Sequence, residues 1–454
     1  MRRVQIHDTL TGELKSLQPV APGPGEQRHV GIYACGPTVY SRIHIGNARP
    51  FVVFSLLKRF LEHEGHDVSL VVNVTDINDK IYTAAEAQGR ASAELAVEMT
   101  DLYRADTDAL GIGRPDHEPL ASETIDEIVE HIATLIERGH AYEAGGDVYF
   151  RVRSDKGYGS LSHRTVDDMD QGEGVEGAER KQDPLDFALW KAHKPGEDTK
   201  WPSPWGEGRP GWHIECSAMA EKLLKLPIAI HGGGSDLVFP HHENEAAQTR
   251  AAREGELARI WMHNGMIQFT GEKMAKSVGN IALLHEVVEE YGTEAVVMYL
   301  VSGHYRQPLS FSDTALEQAR ANVTRIREAG RRLESGPSRS DLQPLRECFF
   351  DALADDFNTP KALGFLNEWI AQAIASDAEG RGDEHLREML SVLGLESLLD
   401  AVPEAPPEVR ELAQQREQAR AQRDFEASDR LRDEIAARGW DVRDGADGFE
   451  LLPR

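Results

Sequence analysis

Four stretches of this chain carry side chains suited to chemistry. His44-Ile45-Gly46-Asn47 sets an imidazole and an amide three residues apart, a spacing that turns both to one side of a helix's first turn. Anionic groups are favoured there by free N–H groups and the positive end of the helix dipole. Gly271-Glu272-Lys273-Met274-Ala275-Lys276-Ser277 carries two lysines three apart in a segment of small and polar residues. Such a pair suits a triphosphate whose charge grows during attack at its α-phosphorus. In His231-Gly232-Gly233-Gly234-Ser235-Asp236 the glycines, Gly234 among them, admit a nucleotide closely, and Asp236 suits a ribose hydroxyl. Taken singly, each stretch also fits a surface turn, a solvated lysine pair or a glycine-rich bend.

The fourth is a candidate metal set drawn from distant segments: Cys35, Cys216 and Phe239-Pro240-His241-His242-Glu243-Asn244-Glu245. If Pro240 opens a helix, His241 and Glu245 share a face at i,i+4. Two thiolates, an imidazole and a carboxylate are an acceptable zinc set with room for a further ligand. His242 and Glu243 remain alternatives on spacing alone. With three cysteines in 454 residues, a disulfide framework is not expected. Cys348, in Leu345-Arg346-Glu347-Cys348-Phe349-Phe350, reads as a small buried hydrophobe.

The elements that must position these groups alternate. Val30–Cys35 reads as a buried strand, Phe51–Glu64 as a helix with Pro50 in its first turn, and Asp67–Val74 as a second strand. That order predicts a doubly wound parallel sheet. Residues 116–204, with an amphipathic helix near Ile125–Glu137 and a polar stretch from Asp155 to Glu179, read as an insertion. Strand signals return at Pro227–Ile230 and Ile260–Met262. Helical periodicity dominates over 314–400, with Leu316, Ala319, Val323 and Ile326 on one face. The proline-rich run Val402–Pro407 reads as a linker before a small unit.

Hydrophobic content of 40% and charged content of 28% are those of a globular chain. The first residues lack the apolar core of a signal peptide, and no apolar run approaches the roughly 20 residues that span a bilayer. A cytoplasmic protein is expected. The net charge of −27 weighs against nucleic-acid binding in bulk but leaves room for a local basic face.

Together and in this order, the stretches resemble those of class I aminoacyl-tRNA synthetases, whose paired signatures are His-Ile-Gly-His and Lys-Met-Ser-Lys-Ser. More narrowly they are similar to the cysteinyl-tRNA synthetases. The matching runs are Cys35–Tyr40, His44–Arg49, Asn73–Lys80, Gly211–Met219 and His231–Glu245, and the similarity extends over nearly the whole chain. It implies a Rossmann-type α/β catalytic domain (1–115 and 205–250), a connective-peptide insertion (116–204) and a stem-contact region with the lysine loop (251–313). A helical bundle (314–400) and a C-terminal anticodon-binding domain (408–454) would follow.

The resemblance implies ATP-dependent activation of L-cysteine to cysteinyl-adenylate and transfer to the 3′-terminal adenosine of tRNA(Cys), with ATP taken as its Mg2+ complex. One Zn2+ would be held by Cys35, Cys216, His241 and Glu245, and the amino-acid pocket would include Gly36, Thr75, Trp212 and His231. His44 and Asn47 would engage the ATP phosphates, Asp236 the ribose and Lys276 the departing pyrophosphate, with Lys273 in support. A monomer is expected. Serine and cysteine differ by one atom, and an ordinary pocket separates such isosteres by only about 100-fold; zinc prefers a thiolate to a hydroxyl far more strongly.

Two departures stand out. Asn47 replaces the second signature His, and Ala275 replaces the usual Ser, which predicts slower activation. Arg423–Glu434 and Gly439–Val442 resemble the family's anticodon-reading end. A ligase joining cysteine to an amino sugar in mycothiol synthesis is the nearest rival; that subfamily lacks the C-terminal unit. A catalytically silent RNA-binding or cysteine-sensing paralogue is the second, and it would have lost a signature lysine or a zinc ligand.

Overall fold

The apolar run from Val30 forms strand β1 (His29–Ala34), buried throughout after its first residue, as expected of a strand covered on both faces. It pairs in parallel with β2 (Asp67–Val72) on one side and β3 (Ile228–Gly234) on the other. Strand β4 (Ala258–Asn264) pairs in parallel with β3. The order β4-β3-β1-β2 reverses between β1 and β3, the switch point at which open α/β sheets bind ligands. The doubly wound parallel sheet expected from the strand–helix–strand pattern is therefore present. The computed structural model describes residues 2–17, 29–169, 178–269, 272–273, 281–375, 382–400, 405–445 and 448–453. It divides into two units, Met1–Glu396 and Ser397–Arg454.

Helix α1 (Ile45–His63) begins six residues before the expected Phe51, so that Pro50 lies inside it rather than in its first turn. The proline costs one bond, to the Gly46 carbonyl at the open end of the helix. Burial of Ala48, Phe51, Val52, Phe54, Leu57 and Leu61 outweighs that loss, at about 0.8 kcal/mol per buried methylene.

The inserted segment packs its helix Ile125–Glu137 beside an antiparallel sheet of Ala141–Ala144, Asp147–Phe150, Phe187–Ala192 and Gly208–Pro210. Its last strand lies beyond residue 204. Helices Asp313–Gly330, Gln343–Ala354, Thr359–Ala375 and Glu384–Val392 follow, and Leu316, Ala319, Val323 and Ile326 are buried as their spacing predicts. The second unit begins at Ser397 rather than 408. It is built of helices Pro407–Ala421 and Phe425–Ala436 and a hairpin, Trp440–Gly445 with Gly448–Pro453. Its core gathers Val409, Ala413, Ile435 and Trp440. Among the described residues no helix is long and apolar enough to cross a membrane.

Candidate metal centre and nucleotide cleft

Cys35 follows β1, His231 lies in β3, and helix α2 (Trp212–Leu223) brings Cys216 between them. His241 comes from the turn Val238–His242, where Phe239 leaves helical dihedrals (φ −140°, ψ 133°). Phe239 is the residue of that segment outside helical dihedrals, so the backbone is helical again from Pro240, as expected, and continues into helix α3 (Glu243–Arg253). The i,i+4 pair converges, with His241 Nε2 3.0 Å from Glu245 Oε1.

Around the Cys35 sulfur lie Cys216 Sγ at 3.8 Å, His241 Nε2 at 3.6 Å and Glu245 Oε1 at 3.7 Å. A tetrahedral zinc with Zn–S near 2.3 Å and Zn–N near 2.0–2.1 Å requires about 3.8 Å between two sulfurs and about 3.6 Å between sulfur and nitrogen. The three distances from Cys35 match that shell, while His241 Nε2 and Glu245 Oε1 stand closer to each other, at 3.0 Å. A set of four ligand atoms all within 4.8 Å of one another takes His242 in place of Cys216, and His242 Nε2 is 3.3 Å from Cys35 Sγ. Glu243, the other alternative, faces away: its carboxylate accepts from the Ser162 N–H and lies beside Arg250.

The cluster is charged although Cys216, His231, His241 and Glu245 are all but inaccessible. The Cys35 thiol donates to Cys216 and lowers the Cys216 pKa to about 6 against the opposing effect of burial. Cys35 itself is pushed up, by burial first and then by Cys216 and Glu245. Burial draws His241 down, but Glu245 and Cys216 outweigh it and raise it to about 10. Burial likewise works against the Glu245 carboxylate, yet His231 and His241 hold it well below the usual range.

Three further histidines back the cluster, and of these the sequence reading had weighed only His242. His213 Nδ1 lies 2.9 Å from His241 Nδ1, so the second nitrogen of the candidate ligand has its own partner. His242 Nδ1 meets His263 Nε2 at 2.7 Å, and His263 Nδ1 meets the Thr9 hydroxyl at 2.7 Å. Burial keeps all three neutral: His213 and His242 fall well below the usual imidazole range and His263 falls to about 3. His263 is brought there by β4, which no local spacing reports. His213 alone was within reach of inspection, next to Trp212.

A cleft of about 290 Å³ opens beside the cluster, lined by Cys35, Gly36, His44, Asn47, Trp212, Gly234 and Asp236 among others. Trp212 stacks on His241, with ring centres 4.2 Å apart. Thr75 and His231 lie behind this wall. Thr75 is 1% exposed, with its main chain tied to Pro37 and Val39, and His231 Nε2 is 3.2 Å from Glu245 Oε2. At the start of α1, the His44 N–H donates to Asn47 Oδ1 (3.2 Å). That bond uses the amide oxygen and leaves the Asn47 NH2 as the group able to donate to a ligand. A Cβ on Gly46 would stand 2.9 Å from the His44 ring, so only glycine lets the imidazole fold over this turn. Lys276 and Ala275 lie outside the described residues; Lys273 is described only as backbone, in the strand Glu272–Lys273.

Comparison with known proteins identifies the family and the fold. The model for the class I (C) tRNA synthetase catalytic domain matches residues 22–321, and that for the cysteinyl-tRNA ligase anticodon-binding domain matches 402–450. The cysteine–tRNA ligase of Alkalilimnicola ehrlichii is 45% identical over 98% of both chains. That of Caldicellulosiruptor saccharolyticus is 42% identical over 99% of both. A methionyl-tRNA synthetase from Mycobacterium tuberculosis, solved with methionyl-adenylate, shares the fold: its TM-score is 0.59 at 16% identity, covering 81% of this chain and 88% of that one. The amino-sugar ligase alternative finds no support.

Proposed function

The chain belongs to the cysteine–tRNA ligase family, and from that premise we propose that its buried cluster holds one Zn2+ through Cys35, Cys216, His241 and Glu245. The family's reaction joins L-cysteine to tRNA(Cys) at the expense of ATP. The observation supporting the metal is the match between the spacing of these donors and a tetrahedral zinc shell. When bound, the zinc would supply a Lewis acid that takes the substrate sulfur as thiolate and so separates cysteine from serine. His213 fixes the ring of His241, and His242, backed by His263 and Thr9, meets the Cys35 sulfur through Nε2.

The cleft residues then divide the substrates among them. Gly36 and Trp212 border the cysteine, with Thr75 and His231 behind. Gly234 and Asp236 border the adenosine. His44 and the Asn47 amide meet the phosphates of Mg2+-bound ATP, and Lys273 and Lys276 stabilise the departing pyrophosphate. The second unit reads the anticodon. We take the protein to act as a cytoplasmic monomer.

Charging of bulk tRNA with labelled cysteine, by protein of measured zinc content and with serine as the control, tests this reading. Cysteine on tRNA with serine refused, at close to one zinc per chain, is the expected result. Equal charging of serine, or undiminished selectivity in protein shown to lack metal, would refute the metal-based selection.

A further inference from the structure

Arg49 lies two residues beyond Asn47 in α1 and is 1% exposed. Among the described residues its guanidinium meets no carboxylate. It donates instead to three main-chain carbonyls: Nη1 to Gly265 (2.6 Å) and Gln307 (2.7 Å), and Nη2 to His304 (3.0 Å). Gly265 and Met266, just past β4, line the nucleotide cleft. The Gly265 N–H donates to the Tyr305 carbonyl at 2.7 Å. A Cβ at Gly265 would stand 2.4 Å from the Gln307 carbonyl, so these two backbones touch and the arginine clamps both.

What they lead to is the lysine segment. Strand Ile267–Phe269 pairs with Leu309–Phe311 and with Glu272–Lys273, and from there the chain enters the stretch carrying Lys276. Beyond that stretch it returns to the first signature: the Ile45 N–H donates to Ala282 O (3.0 Å) and the Leu284 N–H to Ile43 O (3.1 Å).

We propose that Arg49 is a positioning residue for cysteine activation. It pins Gly265, and with it Met266 of the nucleotide cleft, to the helix that presents His44 and Asn47, while the Ile43–Ile45 backbone holds Ala282 and Leu284 to the start of the same helix. This rests on the reading above. Lysine is no equivalent here, because a point ammonium cannot fork to three carbonyls as a planar guanidinium does. A misplacement of about 1 Å from a substitution remote from the reacting atoms costs on the order of 100-fold in rate.

The test compares R49K and R49M with the unaltered protein in three measurements: cysteine-dependent pyrophosphate exchange, binding of labelled cysteine by equilibrium dialysis, and Tm. For R49K a loss of about 10- to 100-fold in kcat for exchange is expected, with cysteine affinity within about twofold; R49M should lose more. If R49M fails to fold, R49K decides alone. A lowered Tm with kcat within twofold would make Arg49 structural only and overturn the proposal, as would a parallel loss of cysteine affinity. Exchange by the unaltered protein is the separate control: its absence would fail the ligase reading, whereas its presence with an unimpaired R49K fails this one.

Discussion

Replacing His213 isolates the hydrogen bond at His241 Nδ1 while leaving every candidate metal ligand in place. His241 directs Nε2 at Cys35 and Glu245, so its Nδ1 carries the proton and donates to His213 Nδ1 at 2.9 Å. Burial, helped by His241, keeps His213 in the neutral form able to accept it. His213→Leu removes that acceptor from a residue 3% exposed, where water does not substitute. An unpaired buried N–H costs about 1–3 kcal/mol, or about 5- to 150-fold at 1.4 kcal/mol per decade. Loss of a partner behind a metal ligand weakens metal binding by about 10- to 100-fold. Both routes agree, and zinc affinity should fall by that factor in competition with a chromophoric chelator. His213→Asn places an amide oxygen near the position of Nδ1 and should recover most of the loss. Two results would refute the reasoning: a Leu variant that holds zinc as tightly as the parent, or Leu and Asn variants equally impaired, which would make packing rather than the hydrogen bond responsible.

Other outcomes follow from the structure and from the sequence departures. Glu388 accepts from His63 (2.8 Å) and Arg346 (2.5 Å); burial would raise its pKa, but these partners bring it to about 2. A depressed carboxylate stabilises the fold above its unfolded value and loses that contribution as pH falls through the folded one. Glu388→Gln should therefore lower Tm at pH near 7, with the difference from the parent shrinking between about 4.5 and about 2; a pH-independent difference would mean that packing is responsible. Ala275→Ser restores a hydroxyl to the lysine loop and should speed pyrophosphate exchange by about 2- to 10-fold, the worth of one hydrogen bond. An unchanged rate would show that the loop does not use that hydroxyl.

The strands were legible because β1, β2 and β3 are short β-branched runs ended by glycine or polar residues, and their order implied a switch point. The start of α1 was not. Pro50 looks like a first-turn residue in any local window, and only the burial of Ala48 and the Asn47–His44 bond explain a helix that begins before it. Cys35, Cys216, His241 and Glu245 were nameable from residue types and family resemblance, yet their convergence depends on α2 and α3 packing together beside the end of β1. Pro240 was the local signal for part of it, since the helical backbone resumes there after extended Phe239 and carries His241 and Glu245 to one side. His263 and Arg49 lay beyond sequence reasoning. Their partners, Thr9 and His242 for the first and Gly265, His304 and Gln307 for the second, are distant in the chain.

The electrostatics of the cluster give a physical reason for a divalent cation at this place. Without one, the buried groups settle with the Cys35 thiol shared toward a Cys216 thiolate and an imidazolium at His241 against the Glu245 carboxylate. Burial works against every one of those charges, and only mutual contact sustains them. Both Cys35 and His241 must give up a proton before all four residues can act as ligands. A divalent ion returns the positive charge that those protons remove, so the net charge of the buried set is the same before and after. A singly charged ion would leave a thiolate or the carboxylate uncompensated, and a trivalent one would overshoot. Neutral His213, His242 and His263 add donors and acceptors around the set without altering that balance. On the zinc proposal, selectivity for a sulfur substrate and the stability of the buried pocket would rest on the same four residues.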